Sequence, residues 1–121
     1  MHRKSGILPE NLSELHGNTN LEICKKCHKE YMRDFRTRTA KKVHDHETGR
    51  FCDDPNCRGK LKDSIINFGE NLNSKILKRG EKESNLSDLC LAIGSSLTVT
   101  PAADLPEEVT NHGGKLVIVN L

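Results

Sequence analysis

The chain has 121 residues, of which 34% are hydrophobic and 30% are charged. This apolar content can form one modest core, so we expect one compact domain or a part of a larger one. Lys and Arg (19 residues) nearly balance Asp and Glu (17 residues), and the net charge of +2 argues against a nucleic-acid binder that relies on global charge. The longest purely apolar runs, residues 89–93 and 116–119, fall far short of the ~18 residues that a membrane span needs. No membrane partner is therefore predicted.

The elements predicted for the first part of the chain are short. Residues 10–15 favour a short helix, which leads into a turn at Leu15-His16-Gly17-Asn18. Residues 71–87 are a polar stretch of Lys, Glu, Asn and Ser with few apolar anchors, so we expect a weak helix or a mobile loop there.

The last part of the chain gives the clearest pattern. Residues 88–93 are a short apolar run that ends at Gly94-Ser95-Ser96, which predicts a buried strand and a tight turn. Residues 101–112 predict a helix that stops at Gly113-Gly114, and residues 115–120 predict a second buried strand. Strand, helix and strand in this order form a βαβ unit, and nearly all-apolar strands are typical of a parallel sheet covered on both faces.

Four of the five cysteines form two close pairs, a C-x2-C pair at Cys24 and Cys27 and a C-x4-C pair at Cys52 and Cys57. Thiolates bind zinc tetrahedrally, and tight turns of this spacing can bring four sulfurs to one ion. Four unrelated buried thiols or a redox C-x-x-C motif are the alternatives, but neither explains two pairs at turn spacing. Because four thiolates leave no open position for water, the sequence predicts one structural zinc ion. The nearby histidines are interpreted as surface residues: His28, His44 and His46.

Further short motifs accompany the cysteine pairs in a definite order along the chain. They lie at residues 15–18, 67–70, 93–97 and 117–121. This ordered set resembles the sirtuins, the NAD-dependent protein-lysine deacylases, over residues 2–121. Residues 44–52 and 61–70 are most similar to the class IV branch that contains sirtuins 6 and 7, and the choice between these two types stays open.

The resemblance implies an α/β fold, in which part of a Rossmann-like parallel-sheet domain carries an inserted four-cysteine zinc-ribbon module. Residues 1–121 would belong to a sirtuin-type deacetylase domain, residues 23–68 to its zinc-binding module, and residues 86–121 to the βαβ part of its NAD-binding domain. The implied activity is the NAD-dependent removal of acyl groups from lysines of proteins such as histones. Chromatin association and a nuclear location are implied by the same branch.

The resemblance also assigns roles to single residues. His16 matches the general base that takes a proton from a ribose hydroxyl of NAD. The NAD-contacting positions are Gly94, Ser95, Ser96 and Asn120. The segment that pairs with the substrate backbone as an added β-strand consists of Ile66, Asn67, Phe68, Gly69 and Glu70.

Two departures from this pattern keep other interpretations open. The Gly-Ala-Gly loop and the Gln-Asn-x-Asp segment of the family do not occur in the 121 residues, so we expect a catalytic-core fragment that is silent by itself. An inactive sirtuin fragment is one alternative. The other is a non-catalytic zinc-ribbon module that grips nucleic acid through eight cations within residues 25–42. Glu30 and Asp34 interrupt those cations, which favours an ordinary solvated face, and a zinc ribbon alone has no need of the βαβ unit.

Overall fold

The computed structural model describes residues 2–121, which divide into two compact units. The first, here called the cysteine unit, is His16–Leu72. The second, here called the strand–helix unit, combines residues 2–15 with Asn73–Leu121. Among the described residues, no helix is long and apolar enough to span a membrane.

The cysteine unit is built on a four-stranded antiparallel sheet. Its strands are β1 (Leu21–Cys24), β2 (Glu30–Met32), β3 (Glu47–Phe51) and β4 (Lys60–Asp63), in the spatial order β2-β1-β4-β3. Burial alternates along β4, where Leu61 and Asp63 are buried and Lys60 and Lys62 are exposed. Such alternation is typical of an antiparallel sheet with one face in water.

The interior of the cysteine unit contains few ordinary hydrophobic side chains. Its core cluster consists of Cys24, Tyr31, Cys52 and Leu61, with Cys57 partly buried against it. Several other buried side chains are polar or charged: Glu22, Thr37, Thr48 and Asp63. Glu22 accepts hydrogen bonds from Arg33 Nε at 2.7 Å and from Arg50 Nε at 2.8 Å, so its buried carboxylate is paired on both oxygens. Sulfur and ion pairs therefore occupy much of the space that an apolar core would fill.

The strand–helix unit contains the predicted βαβ arrangement. Its elements are 3-10 turns at His2–Ser5, Pro9–Asn11 and Ala102–Asp104, helices α1 (Ser74–Leu86) and α2 (Leu105–Asn111), and strands β5 (Leu89–Ile93) and β6 (Lys115–Val119). Strands β5 and β6 pair in parallel, from Leu89 opposite Lys115 to Ile93 opposite Val119. The parallel pair joined by a helix confirms the predicted α/β fold class.

One local prediction for this unit differs from the structure, and the choice left open for residues 71–87 is decided in favour of a helix. The expected helix over residues 10–15 is wrong, because only the 3-10 turn Pro9–Asn11 forms and the backbone of Leu12 is already extended. The polar stretch after residue 71 forms a regular 13-residue helix. Its start is fixed by Asn73, whose side-chain oxygen accepts hydrogen bonds from the backbone N–H groups of Lys75 and Ile76.

The prediction that both parallel strands are buried is also wrong for most of their positions. Ala92 is buried, whereas Leu91 and Ile93 are 57% and 68% exposed, and Ile118 is 55% exposed. The reason is geometric: α2 packs against both strands, and one short helix covers only part of one face of the pair.

Candidate metal centre and active site

The four paired cysteines of the cysteine unit meet at one point. Their Sγ atoms all lie within 4.8 Å of one another, with 3.6 Å between Cys24 and Cys57 and 3.6 Å between Cys27 and Cys52. Tetrahedral zinc with Zn–S bonds of about 2.3 Å requires sulfurs roughly 3.8 Å apart. The four thiols are therefore positioned for a zinc site, as the spacing predicts.

The electrostatics of the four sulfurs favour a cation among them. Backbone N–H groups of Cys27 and Lys26 point at Cys24 Sγ from 3.5 and 3.3 Å, and they lower the pKa of Cys24 to about 6 despite its burial. The pKa of Cys27 is raised to about 12, because the neighbouring sulfurs and burial outweigh the lowering by the backbone N–H of Lys29. Crowded sulfurs thus oppose one another's ionisation, and a divalent ion would offset that repulsion.

Two residues that the sequence analysis did not assign to the centre pack directly on it. Tyr31 Oη lies 3.0 Å from Cys52 Sγ, donates to Asp53 Oδ1 at 2.6 Å and accepts from the Asp53 backbone N–H at 3.2 Å. A Cβ atom on Gly59 would stand 2.7 Å from Cys24 Sγ and 3.4 Å from Cys57 Sγ, so this position has no room for a side chain. Gly59 follows Cys57 by two residues, and a glycine at that spacing was the sequence signal for its contact with the sulfurs.

Half of the twelve Lys and Arg residues of the cysteine unit form ion pairs within it. Ion pairs join Lys25 to Glu47 (2.8 Å), Lys29 to Asp53 (2.8 Å), Arg33 to Glu22 (2.7 Å) and Arg38 to Asp63 (3.2 Å). Two aromatic rings are engaged as well: Tyr31 is buried, and the guanidinium of Arg50 lies 5.2 Å from the centre of the Phe35 ring. These pairings reduce the positive charge that is free for nucleic acid, although the Phe51 and Phe68 rings are 58% and 83% exposed.

The turn that carries His16 is fixed to the chain just before the predicted substrate segment. The His16 carbonyl accepts from Ile66 N–H at 3.2 Å, and Asn18 N–H donates to Ser64 Oγ at 3.0 Å. Gly17 has a φ of +79°, and a Cβ there would lie 1.8 Å from the Ser64 carbonyl oxygen. Only glycine fits so close an approach in that backbone conformation. The exposed imidazole of His16 therefore projects from a turn anchored beside residue 66.

The predicted substrate segment, Ile66–Glu70, ends in a tight turn. Glu70 N–H donates to the Asn67 carbonyl at 3.1 Å, Asn67 N–H donates to Glu70 Oε2 at 2.8 Å, and Gly69 has a φ of +84°. Phe68, at the tip, is 83% exposed. Whether this segment adds a substrate strand stays a prediction.

One histidine departs from the expected surface position. His28 and His44 are exposed, but the side chain of His46 is only 19% exposed and lies between the carboxylates of Asp63 and Glu70. The interpretation of His46 as a surface residue is therefore wrong.

The predicted NAD-contacting residues lie at one edge of the parallel pair in the strand–helix unit. Gly94 follows β5 with a φ of +63°, and its N–H donates to the Val119 carbonyl at 2.9 Å. Ser95, Ser96 and Asn120 are exposed beside it. The carboxyl edge of parallel strands is where open α/β sheets bind ligands, and these hydroxyl and amide groups fit the hydrogen-bonding needs of a ribose.

Comparison with known proteins gives one consistent result. The family model of the Sir2 family matches residues 1–101. The NAD-dependent protein deacetylase SRT1 of Arabidopsis thaliana is 43% identical over the whole chain, which covers 25% of that relative. The NAD-dependent protein deacetylase Sirt6 of Drosophila melanogaster is 35% identical, again over the whole chain, which covers 39% of that relative.

A solved structure described as Sir2 with a p53 peptide and NAD+ has 35% sequence identity and a TM-score of 0.67 over 98% of the chain, and the match covers 46% of that structure. The chain thus spans between a quarter and less than half of the relatives it matches. With the family model covering most of its residues, the chain belongs to the Sir2 family, the sirtuins, for which NAD is the co-substrate.

Proposed function

We propose that this chain forms part of an NAD-dependent protein-lysine deacetylase. The observation that carries the proposal is the anchored His16 turn. Its hydrogen bonds and the missing side chain of Gly17 fix a histidine beside the start of the 66–70 segment. A general base must be held within reach of its proton by a rigid frame, and this turn is such a frame. The relatives named as NAD-dependent protein deacetylases support the reaction type.

Each group has a definite task in this reaction. NAD, when bound, supplies the electrophilic ribose carbon that receives the acyl oxygen. His16 would accept the proton of a ribose hydroxyl, because an exposed imidazole nitrogen can act as an acceptor. Ser95, Ser96 and Asn120 would hold the ribose by hydrogen bonds. The zinc ion would have no chemical step, since four thiolates complete its coordination.

The finer parts of the proposal concern substrate class and location. We assign the chain to the class IV branch of sirtuins, with histones and other chromatin proteins as substrates and the nucleus as its location. The sequence of residues 44–52 and 61–70 supports this branch, and so does the similarity to a Sirt6 protein. In this assignment residues 23–68 are the zinc-binding module and residues 86–121 belong to the NAD-binding domain.

The test uses a chimera, because the chain covers only a quarter of SRT1. Residues 1–121 replace the matching part of SRT1, and the purified chimera is assayed with NAD and an acetyl-lysine peptide for release of nicotinamide. We expect turnover that falls at least ~100-fold in His16→Ala, the scale of a lost general base. The matched control is His28→Asn, at another exposed histidine of the cysteine unit whose φ of +62° Asn tolerates, and it should retain activity. Equal loss in both variants, or none in His16→Ala, would contradict the assignment.

A further inference from the structure

The His46 imidazole is clamped between two carboxylates inside the cysteine unit. Its Nδ1 lies 2.9 Å from Asp63 Oδ1, and its Nε2 lies 2.8 Å from Glu70 Oε1. Ionised carboxylate oxygens only accept hydrogen bonds, so each ring nitrogen must donate a proton. An imidazole with protons on both nitrogens is a cation. The geometry therefore describes His46 as an imidazolium.

The charges around His46 balance in that state. Arg38 Nη1 pairs with Asp63 Oδ2 at 3.2 Å and lies 3.5 Å from His46 Nδ1, while the exposed His44 reaches Glu70 Oε1 at 2.8 Å. Two carboxylates thus face one guanidinium and one imidazolium. Burial lowers the pKa of His46, but the hydrogen bonds to Glu70 and Asp63 outweigh burial and raise it. The His46 hydrogen bond and the Asn67 backbone N–H hold the pKa of Glu70 well below its usual range.

Glu70 connects this cluster to the turn at residues 67–70. One carboxylate oxygen, Oε1, faces the histidines, and the other, Oε2, accepts the backbone N–H of Asn67 at 2.8 Å. Asp63, on the opposite side of His46, is the last residue of β4 and is fully buried. The side chains of Asp63, His46 and Glu70 therefore form a chain of hydrogen bonds that connects the end of β4 to the 67–70 turn.

We infer that His46 is a positioning residue that holds the 67–70 turn against β4 through Glu70, so that affinity for an acyl-lysine peptide depends on the charge of His46. The inference rests on the proposed role of residues 66–70 as the substrate segment. The pKa of His46 is raised in the folded chain, so the hydrogen bond between His46 and Glu70 is complete below the ordinary histidine pKa. That bond is lost as the pH rises through the raised pKa. Toward acid pH the same hydrogen bond persists until Glu70 is protonated, which its lowered pKa delays to a pH below the ordinary glutamate range.

The first measurement needs no peptide. In the zinc-loaded chain, imidazole proton resonances are followed by NMR against pH, together with the backbone amide of Asn67. We expect His46 to titrate above the ordinary histidine pKa, and the Asn67 amide to shift with the His46 midpoint. In the His46→Gln variant, the Asn67 amide resonance should no longer shift at the pH where His46 titrates in the parent. An Asn67 amide that ignores the titration of His46 would overturn the inference.

The second measurement is the dissociation constant of an acetyl-lysine peptide from the SRT1 chimera that carries residues 1–121, between pH 6 and pH 9. His46→Gln should weaken binding by about tenfold, the scale of one charge-assisted hydrogen bond, and should remove its pH dependence. Glu70→Gln, which keeps the side-chain shape, should do the same. The control is His44→Asn, at an exposed position with a φ of +67° that Asn tolerates, and it should change binding far less.

The outcomes separate the two proposals. A parent chimera that binds the peptide while His46→Gln keeps the same affinity and pH profile overturns the positioning role alone. A parent chimera that binds no acetyl-lysine peptide overturns the proposed function and the dependence of peptide affinity on His46. The NMR titration in that case still decides whether His46 holds the turn.

Discussion

Replacing Gly59 by alanine would test how tightly the sulfur cluster is packed. Gly59 precedes β4 and follows Cys57 by two residues, and its backbone carbonyl accepts the N–H of Cys52 at 2.8 Å. The added Cβ would stand 2.7 Å from Cys24 Sγ and 2.8 Å from Lys26 Cβ. Cys24 Sγ is fixed by the cluster, and Lys26 Cβ is the first carbon of its side chain, so neither atom can swing away.

The size of the effect follows from these distances. Heavy atoms in optimal contact lie roughly 3.5–4.0 Å apart, so the new methyl carbon would overlap both neighbours by about 1 Å. Overpacking of this kind costs about 1–3 kcal/mol. If the strain falls on the zinc-bound geometry, zinc affinity should decrease by about 5- to 150-fold.

The assay is competition for zinc between the purified chain and a chromophoric chelator. Asn56→Ala is the matched control, since Asn56 is exposed in the same turn and its side chain makes no hydrogen bond that the structure records among residues 2–121. It should retain the zinc affinity of the parent. Parent-like competition by Gly59→Ala would refute the reasoning, because it would mean that the cluster can open at no cost.

Three further predictions address the frame of the cysteine unit. Cys52→Ser should remove stoichiometric zinc in metal analysis and lower the unfolding temperature, because three thiolates leave the site open. Glu22→Gln should lower the free energy of unfolding by about 2–3 kcal/mol in urea titrations, less than for a fully buried pair because Arg33 and Arg50 keep side-chain exposures of 32% and 31%. Because the pKa of Glu22 is lowered in the folded chain, its contribution to the free energy of unfolding is complete above the unfolded-state pKa of about 4.3. That contribution is lost as the pH falls through the folded-state pKa, so the difference in unfolding free energy between parent and variant should decrease in acid. Gly17→Ala should destabilise the unit by at least about 1 kcal/mol and remove the protection of the Asn18 amide in hydrogen exchange.

The metal centre and the βαβ unit could be predicted because their signals are local. Two cysteine pairs at turn spacing determine four ligands without reference to anything else in the chain. Apolar runs bounded by Gly94 and by Gly113-Gly114 likewise determine two strands and the helix between them. In each case short-range spacing carries most of the pattern, although the burial of the two strands depends on tertiary packing.

The strands of the cysteine unit gave no such signal. They have three to five residues, and their buried positions include Glu22, Thr48 and Asp63, which an alternation of apolar and polar residues does not identify. Ion pairs between residues far apart in sequence connect these strands, such as Arg50 of β3 with Glu22 of β1. For the same reason His46 was misassigned: its partners lie 17 and 24 residues away.

The cysteine unit places its metal centre and its predicted reactive turns at opposite ends of the same two strands. Cys24 closes β1 and lies opposite Leu61 near the start of β4, while Glu22 lies opposite Asp63 at the other end. Beyond Asp63 the chain passes through Ser64, which holds the His16 turn, to the turn that Glu70 closes. Because the unit has little apolar core, the sulfur cluster and the Glu22 and His46 ion pairs must together keep this frame in register. A structural zinc ion can therefore matter to catalysis without touching substrate, by fixing the strands on which both turns depend.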